Sequence, residues 1–223
     1  MARLPADPEG FIRSNTALET PAMVPEFKLW LATEYVPIWQ ATEAWLEEQN
    51  VDPPYWAFCW PGGQAIARYL LDNSGLVSRK RVIDFAAGSG VSSMAAARAG
   101  ASSVIANDID TLSLVAARLN AAANGLNIDV SSDDWLAGKA GAPEADVVIA
   151  GDVCYEREMS GRALEWLRSH ANRGRLVLLG DPGRNYFTAQ GLEERARYEI
   201  PTSLQLENRG MRETVVWRVL PQL

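Results

Sequence analysis

A chain of 223 residues, 48% hydrophobic and 22% charged, has the length and make-up of one α/β unit with an N-terminal extension. One histidine and two distant cysteines, Cys59 and Cys154, argue against a disulfide framework and a His/Cys zinc site, so no metal is expected. A net charge of −7 argues against nucleic acid and suits a basic, lysine-bearing partner, although a solvated acidic surface explains it equally well. The longest apolar runs, such as Arg175 to Leu179, are strand-sized, against the roughly 20 residues of a membrane span. Met1 to Ser14 carries Asp7, Glu9 and two prolines, unlike a signal or transit peptide, so the cytoplasm is the expected compartment.

Residues 1–63 read as a helical extension and possible lid, and residues 64–223 as the main domain. Pro25 to Ala32 reads as helical, with Phe27, Trp30 and Leu31 on one side, and so does Ile38 to Gln49. Trp60-Pro-Gly-Gly63 leads into a helix over Gln64 to Asn73; it reads either as a helix start with Trp60 in the core or as a cover over a ligand. From Arg81 strands and helices alternate. Strands are expected over 81–85, 103–107, 128–131, 146–150 and 175–179, and helices over 92–98, from Asp110 to Asn124-Gly125, and over 159–169. Such alternation implies parallel strands with right-handed crossovers. The tail differs: 197–201 and 213–220 read as an antiparallel pair at the sheet edge. Together these elements give a Rossmann-like, seven-stranded methyltransferase sheet, mostly parallel with a reversed terminal strand.

The run Val82-Ile-Asp-Phe-Ala-Ala-Gly-Ser-Gly90 is a strand that ends in an acid and turns through small residues into a helix. Such a turn brings backbone N–H groups close to a ligand. A dinucleotide site avoids a carboxylate there because pyrophosphate is anionic. S-adenosylmethionine, with its ammonium and sulfonium, welcomes Asp84, which otherwise reads as a plain turn residue. In Ala106-Asn-Asp-Ile-Asp110, Asp108 can accept ribose hydroxyls, while Asp110 caps the next helix; taken alone this would serve NAD equally. In Ser132-Asp-Asp-Trp135, Asp134 is favoured narrowly over Asp133 for the adenine amino group, with Trp135 packed on the ring, unless the segment is a simple turn. Gly151-Asp-Val-Cys-Tyr155 closes the fourth strand at the edge that faces the crevice, which places Asp152 and Tyr155 where a transferred methyl emerges. Asp52-Pro-Pro-Tyr55 spells an adenine amino-methyltransferase motif but precedes the first strand of the domain, and reads as a Pro-rich turn.

The run Pro54 to Ala65, the turn from Asp84 to Gly90, Ala106 to Asp110, Gly151 to Tyr155 and Gly180-Asp-Pro-Gly-Arg184 together resemble the electron transfer flavoprotein β-subunit lysine methyltransferases. The resemblance runs from about Phe11 to Trp217. It implies S-adenosylmethionine as donor, in contact with Asp84, Gly88, Gly90 and Asp108; Trp60, Ala86, Asn107, Asp134, Trp135 and Gly151 complete the cofactor-binding set expected from the motifs. It implies Asp152 and Tyr155 as catalytic residues that meet a lysine, and the flavoprotein β-subunit as the partner. One departure stands out. Where the family turn opens with glycine this chain has Ala86, which is expected to relax the turn towards negative φ. Broader relatives act on ribosomal proteins or nicotinamide, so another protein or a small amine stays open as acceptor.

Overall fold

Asp7 opens the first helix. Its carboxylate accepts the Gly10 N–H at 2.9 Å and Pro8 stands at the first helical position, so α1 (Pro8–Asn15) begins with two of the usual start signals. The computed structural model describes residues 5–32, 53–138, 141–202, 207 and 210–222. After α1 come two short antiparallel strands, β1 (Ala17–Glu19) and β2 (Leu29–Leu31). The helix expected over Pro25 to Ala32 is thereby corrected to a turn that leads into the short strand Leu29–Leu31. Phe27, Trp30 and Leu31 suit either period, and tertiary hydrogen bonds decide between them. The backbone N–H groups of Lys28 and Trp30 donate to the side-chain carbonyls of Asn124 (2.9 Å) and Asn120 (2.7 Å). The helix expected over Ile38 to Gln49 lies outside the described residues.

From Pro61 the chain alternates as expected. It runs through α2 (Pro61–Asp72), β3 (Arg81–Phe85), α3 (Val91–Arg98), β4 (Ser103–Asn107), α4 (Thr111–Ala123) and β5 (Asp129–Ser131). β6 (Val147–Gly151), α5 (Arg157–Asn172), β7 (Leu176–Asp181), β8 (Leu192–Pro201) and β9 (Met211–Val219) complete it. The sheet has seven strands in the order β5-β4-β3-β6-β7-β9-β8. β3 to β7 are parallel, and β9 lies antiparallel between β7 and β8. Element ends from Arg81 onward differ from expectation by up to three residues, except that β8 begins five residues before Arg197. Its early part carries exposed Glu193, Glu194 and Arg195, which only a sheet edge accepts, so no apolar alternation announces it.

The strands are apolar on both faces because helices cover both. Val82, Ile149 and Leu178 pack with Ile66 and Leu70 of α2 and Met94 of α3. Ile83, Val148 and Leu179 pack on the other side with Leu164 and Leu167 of α5. A third cluster joins Ile12, Trp56 and Ala57 to Leu112, Ala116 and Leu119 of α4, fixing the extension to the domain. Strand order runs outward from β3 in one direction and from β6 in the other. The crevice of such a sheet opens at the C-terminal ends of β3 and β6.

The N-terminus of α2 rests on that same edge. A Cβ built on Gly62 would lie 2.3 Å from the Gly180 carbonyl oxygen and 2.5 Å from Asp152 Oδ2. Gly151 and Gly180 face the same backbone, each blocked by Gly62 or Gly63 atoms within 3.0 Å. Three glycines therefore let a helix terminus touch the ends of two strands. Gly62→Ala should cost about 1–3 kcal/mol by overpacking. Thermal unfolding should show a Tm lower by at least about 2 °C, and an unchanged Tm would mean that this contact is not close-packed in solution.

Candidate active site

The turn after β3 has three consecutive alternate residues in the left-handed region: Ala86 (φ 54°), Gly88 (φ 51°) and Gly90 (φ 77°). Ala86 does not relax the turn, which corrects the expectation. The flanks hold it there, since the Ala87 N–H donates to the Asn107 carbonyl at 2.9 Å and the Gly90 N–H to the Ala87 carbonyl at 2.8 Å. The conformation costs an L-residue about 1–2 kcal/mol, which the two hydrogen bonds and the buried strand end offset. The glycine-like path of the turn is kept without the glycine.

Asp84 is buried at the end of β3 and accepts the Ser93 hydroxyl at 2.7 Å. Burial pushes its pKa up to about 7, against the Ser93 hydrogen bonds. Asp108, half-buried after β4, accepts the Gly88 N–H on one oxygen and the Asp110 N–H on the other, both at 3.0 Å. Burial pushes it up to about 6, partly countered by those two N–H groups. Among the described residues neither carboxylate pairs with a lysine or arginine. An acidic crevice lined by open backbone and lacking its own cations fits a cationic nucleoside and rejects a pyrophosphate. Nor do the described residues include a group of three His, Cys, Asp or Glu placed to hold a metal ion.

The other residues named from sequence divide by place. Asn107 is buried, and its amide donates to the carbonyls of Ser131 and Asp133, both at 3.0 Å, which ties the loop after β5 to β4. Asp134 is exposed and caps the short 3-10 turn Trp135–Ala137 by accepting the N–H groups of Leu136 and Ala137 at 3.0 Å. Trp135 is buried, stacked on Trp166 at 5.9 Å. Gly151 lies under the α2 terminus, at the foot of the Asp152 turn.

Asp152 occupies the left-handed region at φ 57° and is buried. Oδ2 accepts the Gly63 N–H at 3.2 Å, so this carboxylate caps α2, whose own N-cap residue, Trp60, makes no side-chain cap. Oδ1 accepts Arg184 Nε at 3.1 Å and Nη2 at 2.7 Å. Burial raises the Asp152 pKa, with Arg184 pulling it down and Glu207 pushing it up. Arg184 also stands 5.4 Å over the Trp60 ring. Tyr155 is 43% exposed and faces Tyr55 at 5.6 Å, and Tyr55 faces Trp60 at 6.2 Å. Tyr55, set aside with its Pro-rich turn, thus stands at the mouth of the site. Arg184, Gly62 and Gly63 were quoted in the sequence only inside their motifs, and Glu207 not at all. Paired glycines after a helix-starting proline were the available signal for a close approach; nothing local marks Glu207.

The family model described as ribosomal protein L11 methyltransferase (PrmA) matches residues 66–153. The chain is 37% identical over 221 residues to the electron transfer flavoprotein beta subunit lysine methyltransferase of Xenopus laevis, covering 96% of this chain and 87% of the relative. The Homo sapiens protein of the same name is 33% identical over 234 residues, covering 96% and 84%. Among solved structures, magnesium protoporphyrin IX methyltransferase from Synechocystis PCC 6803 with bound SAM shares the fold. Its TM-score is 0.52 at 21% identity, over 71% of this chain and 77% of that one. With relatives of this identity spanning nearly its whole length, the chain belongs to the electron transfer flavoprotein β-subunit lysine methyltransferase family, whose methyl donor is S-adenosylmethionine.

Proposed function

We propose that this chain methylates lysine ε-amino groups on the β-subunit of electron transfer flavoprotein, in the cytoplasm, and that it acts on protein and not on nucleic acid. The observation that carries the reading is the split at the crevice. Two carboxylates with no cation partner among the described residues, Asp84 and Asp108, stand on one side, and Asp152 with the aromatic mouth stands on the other. The family relationship and the net charge of −7 support it. No helix among the described residues is long and apolar enough to cross a membrane.

When bound, S-adenosylmethionine supplies an electrophilic methyl on a sulfonium. Asp108 would accept the ribose hydroxyls, and the turn from Ala86 to Gly90 would present backbone to the amino-acid end, with Asp84 as its counter-charge. Asn107, Asp134 and Trp135 hold the loop that borders the adenine. Gly151 lets α2 close over the strand ends, and residues 1–63 act as an extension that covers the site through Tyr55 and Trp60. At the acceptor, a lysine near neutral pH is uncharged only about one part in a thousand, a deficit of roughly 4 kcal/mol. Its proton leaves to solvent through the open mouth beside Tyr155. Asp152 then accepts one amine N–H, which points the lone pair towards the methyl, while Tyr155 walls the channel. With the donor bound, the nitrogen lone pair would form the N–CH₃ bond as the S–CH₃ bond breaks, leaving the bonding pair on sulfur and the positive charge on the product nitrogen. Positioning of this kind is worth up to about 7–11 kcal/mol.

Asp108→Ala should weaken S-adenosylhomocysteine binding by about 1.5–3 kcal/mol, measured by calorimetry. Burial holds the free Asp108 near 6, whereas accepted hydroxyls favour its ionised form. Wild-type affinity should therefore rise as pH increases through about 6, and the variant should flatten that part of the curve. A folded variant with unchanged affinity removes Asp108 from the donor site.

Asp152→Asn keeps a residue type that tolerates φ 57° and should abolish transfer while donor affinity stays within about twofold. Parallel loss of both would make Asp152 a donor ligand. Wild-type protein incubated with donor and purified flavoprotein should place methyl groups on β-subunit lysines, read by mass spectrometry. Label on another protein or on a free pyridine in a cell extract, with the flavoprotein unmodified, overturns the acceptor.

A further inference from the structure

Asp152 is not a bare carboxylate. Behind it runs a line of alternating charge. Arg184 donates Nη2 to Asp152 Oδ1 (2.7 Å) and also reaches both oxygens of Glu207, Nη2 to Oε1 at 2.7 Å and Nη1 to Oε2 at 3.1 Å. Arg212 Nε stands 3.1 Å from Glu207 Oε2. Asp152 and Glu207 are buried, and the two arginines are half-buried. The four charges alternate minus, plus, minus, plus and cancel. The Trp60 ring beneath the Arg184 guanidinium helps fix it in place.

Arg184 Nε and Nη2 both donate to Oδ1 of Asp152, and the start of α2 closes on the carboxylate from the other side, with the Gly63 N–H on Oδ2 and the Gly62 backbone beside it. An uncompensated carboxylate beside a lysine would hold it as ammonium, the form that cannot attack. Resting on the placement of Asp152 at the acceptor, we infer that Arg184, backed by Glu207 and Arg212, is a positioning residue that neutralises Asp152 so that its carboxylate orients the lysine nitrogen without keeping it protonated.

The groups that face Asp152 are Cys59 from the segment before α2, Cys154 from its own turn, Asp181 and Arg184 from beyond β7, and Glu207 between β8 and β9. Burial pushes the Cys59 thiol far up and Cys154 up to about 12. Asp181 is pushed up to about 6, mainly by burial, and Tyr155 to about 12 for the same reason. None of these thiols, phenols or Asp181 has its midpoint between about pH 7 and pH 10, the window in which a perturbed lysine loses its proton.

The test is single-turnover methylation of purified electron transfer flavoprotein β-subunit across that window, with S-adenosylhomocysteine affinity measured in parallel by calorimetry. In wild type the rate should rise with pH to a plateau. Arg184→Gln should move the midpoint up by about one unit, lowering the rate about tenfold near neutrality and restoring it on the plateau, with donor affinity unchanged. Arg184→Lys keeps the charge and should keep the wild-type midpoint. Arg212→Gln, one step further back, should shift the midpoint in the same direction by less, and it carries the test if Arg184→Gln does not fold. A rate reduced by the same factor at every pH, or a midpoint unmoved in both glutamine variants, overturns the inference while leaving Asp152 as acceptor residue. Full transfer by Asp152→Asn, or a flavoprotein left unmethylated, overturns the acceptor placement and this inference with it.

Discussion

One carboxylate joins two parts of this molecule that the chain keeps 89 residues apart. α2 begins without a side-chain cap of its own, because Trp60 cannot accept a hydrogen bond, and Asp152 supplies the acceptor for its Gly63 N–H. The contact forms only because Gly62, Gly151 and Gly180 carry no side chains where helix and strand ends meet. It also needs Asp152 in the left-handed region, a conformation that aspartate adopts more readily than most residues. The helix dipole then favours the ionised carboxylate that burial alone would disfavour. Packing, backbone strain and charge are thus settled at one residue, and the acceptor side of the crevice is built around it.

The two sides of the crevice treat negative charge in opposite ways. Among the described residues no lysine or arginine pairs with Asp84 or Asp108, and burial raises both. A ligand that brings positive charge and hydroxyl donors repairs this on binding. Asp152 meets a guanidinium before any substrate arrives. An uncompensated acid attracts a cation, and a compensated one directs a neutral amine. A methyl donor is a permanent cation, whereas a nucleophilic lysine must not be one, so the asymmetry matches what each partner needs.

The fold was legible from Arg81 onward because strand-sized apolar runs alternate with helical periods and are punctuated by Gly and Asn. Legibility failed where tertiary hydrogen bonds chose the local structure. Pro25 to Ala32 has a helical apolar spacing, yet Asn120 and Asn124 draw its N–H groups into an extended segment. β8 was read short because an edge strand tolerates charges that hide its period. In the site, Asp84, Asp108, Asp152 and Tyr155 stood out because each closes a strand at the edge where ligands bind. Trp135 could not be distinguished in sequence between a ring that packs on a ligand and one that packs on Trp166. Tyr55 was discounted with its turn, although a 3-10 turn over Tyr55–Ala57 brings its ring to Tyr155.

The position of the compensating charges along the chain carries a further consequence. The stretch from Ile66 to Val153 holds the glycine turn, Asp108 and Asp152, which are the parts any methyl transfer on this sheet needs. Arg184, Glu207 and Arg212 all lie after it, on the segment following β7 and around the reversed hairpin. Tyr55 and Trp60 lie before it. On the proposed reading, donor binding draws on the contiguous centre of the domain, and the surroundings of Asp152 draw on segments before and after it. An insertion or rearrangement in the hairpin could alter how Asp152 treats its amine without moving an atom of the donor turn. On the proposed reading, the residues that carry the methyl and those that surround the acceptor carboxylate are separable by sequence, since Arg184, Glu207 and Arg212 all fall within the chain's last 40 residues.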